Sequence, residues 1–77
     1  MKPIRLSHHC QEELLIRDIT KEQIEKTIKN PDKTAKGKAN RLIAWKFFKE
    51  QNTGIKAVFV EEEKEIVVIT VYPKKSI

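Results

Sequence analysis

The chain has one cysteine, two glycines, one tryptophan and one tyrosine in 77 residues. A single cysteine, Cys10, cannot form an internal disulfide; this excludes a stapled secreted scaffold and fits a reducing cytoplasm. The glycines, Gly37 and Gly54, stand alone, which excludes a glycine-rich phosphate loop. His8 and His9 are the only histidines. Neighbours on a helix point about 100° apart, and no second cysteine completes a tetrahedral set, so no metal is expected. No cofactor is expected either. No nucleophilic serine motif is present, and Cys10 shares a helix with its neighbouring histidines, a poor geometry for attack. The acidic run Glu61–Glu65 lacks the spacing of a calcium loop and reads as a solvated turn. No apolar run is long enough for a transmembrane helix, and Met1–Leu6 lacks the apolar centre of a signal peptide. The expectation is a single cytoplasmic domain, residues 1–77, with no membrane association.

What is abundant is charge. Sixteen basic residues face eleven acidic ones, for a net charge of +5. The excess is uneven. Residues 31–50 hold Lys33, Lys36, Lys38, Arg41, Lys46 and Lys49 against Asp32 and Glu50, whereas residues 61–65 hold four glutamates and one lysine. A basic side facing a polyanion is one reading of this split. A lysine-rich solvated surface is the other.

Local signals predict the order β-α-α-β-β-β. Pro3–Leu6 reads as an edge strand, because Pro3 cannot donate to a ladder. Ser7 is an N-cap for a helix running to Arg17, with Cys10 and Leu14 flanked by Leu15 as its apolar stripe; Asp18 breaks it. Thr20 and Gln23 have the spacing of a capping box, and Ile19 with Ile24 that of a hydrophobic staple. Ile24 and Ile28 form the buried stripe of this second helix, and Pro31 stops it. Residues 31–40 read as a loop. Arg41–Lys49, Ile55–Val60 and Ile66–Tyr72 then read as an antiparallel meander. Arg41, Ile43, Trp45 and Phe47 share one face of the first of these strands, and Leu42, Ala44, Lys46 and Phe48 the other. In the last strand Val67, Ile69 and Val71 are expected to face the helices. The fold class is α+β: a helical hairpin packed on one face of a small, mainly antiparallel sheet.

Three constellations can carry chemistry. His9, Glu13 and Arg17 recur every fourth residue and form one stripe. It is either a solvated salt-bridged stripe or a site in which the helix N-terminus keeps the His9 imidazole neutral as a base. Thr70, Tyr72 and Lys74, spaced by two, share one side of an extended strand. They either hold a phosphate or polarise a ribose hydroxyl, or else close the core and end in a solvated tail. Arg41, Trp45 and Lys46 put an aromatic ring beside cations, as nucleic-acid-binding sheets do; such a tryptophan is also often core. With aromatics at only 6% of the chain, an extended stacking platform is not expected.

The block Ser7–Thr20 resembles the N-terminal signature S-x-H-A-x-x-R-M-x-x-R-x-I-[ST] of a family of small uncharacterised prokaryotic proteins. Ser7, His9, Arg17, Ile19 and Thr20 match. Cys10 stands where a small residue is usual, and Leu14 where Met or Leu is usual. Pro31 and the ending Val-Ile-Thr-Val-Tyr-Pro also look like the family, so the resemblance runs from about residue 4 to residue 73. That family is similar to the RelE/ParE-type toxin superfamily. The resemblance implies an RNA-directed endoribonuclease, acting on mRNA or at the ribosome and neutralised by a cognate antitoxin protein. Carried over, the catalytic residues are His9, Arg17, Thr70 and Tyr72. Glu13 departs from the pattern, standing where the family commonly has arginine.

In the leading expectation His9 or Tyr72 handles the proton of a ribose 2′-OH, and cations stabilise charge at the attacked phosphate. Lys36, Lys38, Arg41, Lys46 and Lys74 are the candidate nucleic-acid contacts. The rival is a non-catalytic nucleic-acid- or protein-binding module using the basic face. A third class pairs an exposed sheet edge with another chain, as in a homodimer.

Overall fold

The helices and strands form because their ends are chemically marked and their middles alternate. The computed structural model describes residues 2–75. Strand β1 is Ile4–Leu6, helix α1 His8–Arg17, helix α2 Lys21–Lys29, β2 Lys33–Lys36, β3 Leu42–Phe48, β4 Thr53–Glu61 and β5 Ile66–Pro73; a 3₁₀ turn, Lys49–Gln51, joins β3 to β4. The strands make one sheet in the order β1-β5-β4-β3-β2. β1 runs parallel to β5, and every other pairing is antiparallel. The fold is the expected α+β, with one strand more than the pattern predicts. No helix among the described residues is long and apolar enough to cross a membrane.

Both helix starts are capped as the sequence predicts. The Ser7 hydroxyl accepts the Cys10 N–H at 3.0 Å, filling one of the orphan donors of the first turn. In α2 the capping box is complete: Gln23 N–H donates to Thr20 Oγ1 at 3.1 Å, and Thr20 N–H donates to Gln23 Oε1 at 2.9 Å. Asp18 ends α1 in the left-handed region, with φ 54°.

Cys10, Ile19 and Ile24 from the helical hairpin pack in one cluster with Ala44, Ile55, Ala57, Phe59, Ile66, Val68 and Val71 from the sheet. Both helices therefore lie on the same face. Leu42 and Phe48 join this side, so the two parities of β3 divide as expected. Thr27, absent from the predicted stripe, is also fully buried, and its hydroxyl donates to the Gln23 carbonyl at 2.8 Å.

Three expectations are corrected. Leu15 does not flank the α1 stripe; it is 88% exposed, beside Ile16 at 78%. Residues 31–40 are not all loop: Lys33–Lys36 is an edge strand in which every residue is exposed. Lys-Thr-Ala-Lys has no apolar alternation, so only its backbone pairing with β3 reveals it. The turn Lys38–Arg41 that follows puts Ala39 and Asn40 at φ 55° and 64°, a type I′ geometry without its usual glycine. Finally, β5 buries Ile66 and Val68, then Val71, rather than Val67, Ile69 and Val71. Phe59 pairs with Val68 while Val58 pairs with Thr70, which leaves Ile69 as the extra residue of a bulge. The bulge flips side-chain parity midway along the strand. Ser7 is built into it: its N–H donates to the Val68 carbonyl and its hydroxyl to the Ile69 carbonyl, both at 2.9 Å.

Candidate nucleic-acid interface

The face of the sheet opposite the helices carries three rows of side chains, set by strand register. In the first row Lys33 of β2, Trp45 of β3, Lys56 of β4 and Tyr72 of β5 are successive cross-strand partners. The Lys33 ammonium stands 5.5 Å from the Trp45 ring centroid, and the Lys56 ammonium 5.4 Å from that of Tyr72. Cation and aromatic ring thus alternate across four strands, each pair within cation–π range. The second row is Ala35, Ile43, Val58 and Thr70. The third is Val60, Val67 and Arg5. Ile43, Val58, Val60, Val67, Thr70 and Tyr72 are all partly exposed. A half-wet apolar floor is therefore crossed by a line of cations.

Trp45 is buried, at 7% exposure, without belonging to the helix-side core. Its ring lies over Gly54, where an added Cβ would come within 2.3 Å of Cζ2 and Nε1. The indole N–H donates to the Lys74 carbonyl at 2.7 Å, and the Lys74 N–H donates to the Gly54 carbonyl at 2.9 Å. This ring is a structural floor that tethers the end of β5 and supports Lys33. Phe47 is its tilted neighbour, 6.4 Å away between centroids and 38% exposed.

The sequence-derived residues fall into four places. Thr70 and Tyr72 share the helix-free face with Lys56, since their cross-strand partners are Val58 and Lys56. Lys74 is exposed beyond them, its backbone held by Trp45 and Gly54. His9 and Arg17 are on α1, on the other side of the sheet. His9 lies 3.4 Å from Glu13 and is 63% exposed; Arg17 donates to the same carboxylate. Glu13 thus stands between His9 and Arg17 in one stripe, ion-paired to Arg17, and the sheet separates His9 and Arg17 from Tyr72. Lys36, Lys38 and Arg41 sit at the exposed tip of the β2–β3 hairpin; Lys36 and Arg41 line a shallow cleft of about 310 Å³ with Glu61. Lys46 is on the helix side, where its ammonium donates to the Asn30 carbonyl at 3.1 Å, at the C-terminal end of α2.

Lys33 and Lys56 are the residues that sequence reasoning missed. Lys33 fell in an apparent loop. Lys56 carried a usable signal: a lysine inside an alternating strand, on the parity opposite Ile55, Ala57 and Phe59.

Elsewhere Cys10, Arg5 and Glu65 have structural roles. Burial pushes the Cys10 thiol up to about 11, with the nearby Glu13 carboxylate adding to the effect; a protonated buried thiol is a packing group rather than a nucleophile. Arg5 forks onto Glu65 with two contacts of 3.0 Å. The hydrogen bond from Arg5 holds the Glu65 carboxyl below its usual range, and Glu65 raises Arg5 in turn. No cluster of three or more metal-ligating side chains exists among the described residues.

A family model described as "Domain of unknown function (DUF4258)" matches residues 6–73. No curated protein and no solved structure matches the chain.

Proposed function

The chain belongs to the DUF4258 family, whose description carries no activity, and we propose from its site that it is an RNA-directed, RelE/ParE-like toxin that holds a single strand across the helix-free face of its sheet. The observation that carries this reading is the row Lys33–Trp45–Lys56–Tyr72. Lys33 and Lys56 make no ion pair among the described residues, so their charge is open to phosphates. The apolar floor beside them suits bases, and Tyr72 offers both a ring and a hydroxyl.

The reaction is cleavage at a ribose. A base takes the 2′-OH proton, the 2′ oxygen attacks the adjacent phosphorus, the bond to the 5′ oxygen breaks, and that oxygen takes a proton. In this reading the phenol of Tyr72 gives this proton, with Thr70 two residues away and Lys56 neutralising the five-coordinate phosphate. A cytoplasmic setting and a cognate antitoxin belong to the same reading.

A second reading, a non-catalytic binding module, is favoured by one observation: His9 and Tyr72 lie on opposite sides of the sheet, so the open face has no imidazole beside its phenol. One experiment separates the two. End-labelled RNA is incubated with purified protein, with and without ribosomes. Cleavage that Tyr72→Phe abolishes, with binding retained and His9→Ala active, supports the toxin reading. Salt-sensitive binding that Lys56→Ala weakens, without any cleavage, supports the module. Binding indifferent to Lys33→Ala and Lys56→Ala overturns both.

A further inference from the structure

Strand β2 ends the sheet, and its four residues, Lys33, Thr34, Ala35 and Lys36, are all exposed. The hairpin fixes which backbone groups point outward. The Gly37 N–H donates to the Arg41 carbonyl at 2.8 Å. In an antiparallel pair alternate residues exchange bonds with the partner strand, so Lys33 and Ala35 are bonded to β3. The N–H and C=O groups of Thr34 and Lys36 therefore face away from the sheet. Such an edge is a template for an added strand.

Charge decides what can use it. Residues 33–41 carry Lys33, Lys36, Lys38 and Arg41 and no acid. None of these four makes an ion pair among the described residues. The preceding acid, Asp32, is already engaged: its Oδ2 accepts the Phe47 N–H at 2.8 Å. A second copy of this strand would bring the same four cations against the first. A neutral strand would leave them uncompensated. An acidic strand satisfies both backbone and charge. Lys33 and Lys36 are three residues apart, so they sit on opposite faces of the strand.

We propose that the β2 edge docks an extended acidic segment of a partner protein, which adds to the sheet as a sixth strand with carboxylates on both of its faces. The proposal rests on the edge alone and stands whether or not the chain cleaves RNA.

The test uses the full chain and a capped ten-residue peptide of threonine, valine and glutamate, with glutamates on both faces. A second peptide has every glutamate replaced by glutamine. Trp45, the only tryptophan and the ring under Lys33, reports binding by fluorescence. Amide exchange reports the backbone. The expected result is saturable binding, new protection at the Thr34 and Lys36 amides, and at least tenfold weaker binding of the glutamine peptide. Thr34→Pro removes an outward N–H without touching the β2–β3 ladder, and should weaken binding at least tenfold while the fold survives by circular dichroism. Any of three results overturns the proposal: no protection at Thr34 and Lys36, equal binding of the two peptides, or protection of these amides in the free protein through a β2-mediated dimer.

Discussion

Replacing Gly54 by alanine tests the floor of the candidate interface. Gly54 has no positive φ, so the substitution costs nothing in backbone conformation. Its cost is steric. The new Cβ would lie 2.3 Å from Cζ2 and Nε1 of Trp45 and 2.4 Å from Cε2. These are ring atoms of a buried side chain, not the free end of a flexible one, so the indole must tilt as a unit. Overpacking of this kind costs about 1–3 kcal/mol. Tilting also lengthens the 2.7 Å bond from the indole N–H to the Lys74 carbonyl; losing it costs about 0.5–1.5 kcal/mol. The expected destabilisation is about 2–4 kcal/mol, a large share of the roughly 4–12 kcal/mol that a domain of this length has. Urea unfolding followed by circular dichroism measures it, and Trp45 fluorescence should show a more exposed indole in the folded variant. A double-mutant cycle identifies the cause: in a Trp45→Leu background, Gly54→Ala should cost less than about 1 kcal/mol, because the clashing ring is gone. A loss under about 0.5 kcal/mol in the wild-type background, or an equal loss in both backgrounds, would refute the argument.

Two further predictions concern the helix side. Ser7→Ala removes the α1 cap and the donor to the bulge carbonyl of Ile69 together, and should cost about 1–3 kcal/mol in urea unfolding; Ser7→Thr should recover most of it. The Cys10 thiol, raised to about 11 in the fold, titrates near 8.5 in the unfolded chain. The stability it contributes is complete below the unfolded value and is lost as pH rises towards the folded one. Wild-type stability should fall more steeply than that of Cys10→Ala between about pH 8.5 and 11. At neutral pH the thiol should react with an aromatic disulfide reagent only as fast as the chain unfolds.

Much of this protein was written locally. The caps at Ser7 and Thr20, the stop at Pro31, and the division of β3 into a Trp45 side and an Ala44 side all depend on groups a few residues apart. Residue pattern reaches that far, because capping bonds and side-chain alternation are short-range geometry. Three decisions needed the tertiary fold. β2 exists only because β3 offers it a backbone ladder; Lys33–Lys36 has no apolar pattern of its own. The bulge at Ile69 is bonded to Ser7, more than sixty residues earlier in the chain, which donates to that carbonyl, and it reverses which side of β5 is buried. The candidate site followed from both. Cross-strand register, which no single strand encodes, brought Lys33 and Lys56 beside Trp45 and Tyr72. Which face the helices cover left His9 and Arg17 behind the sheet.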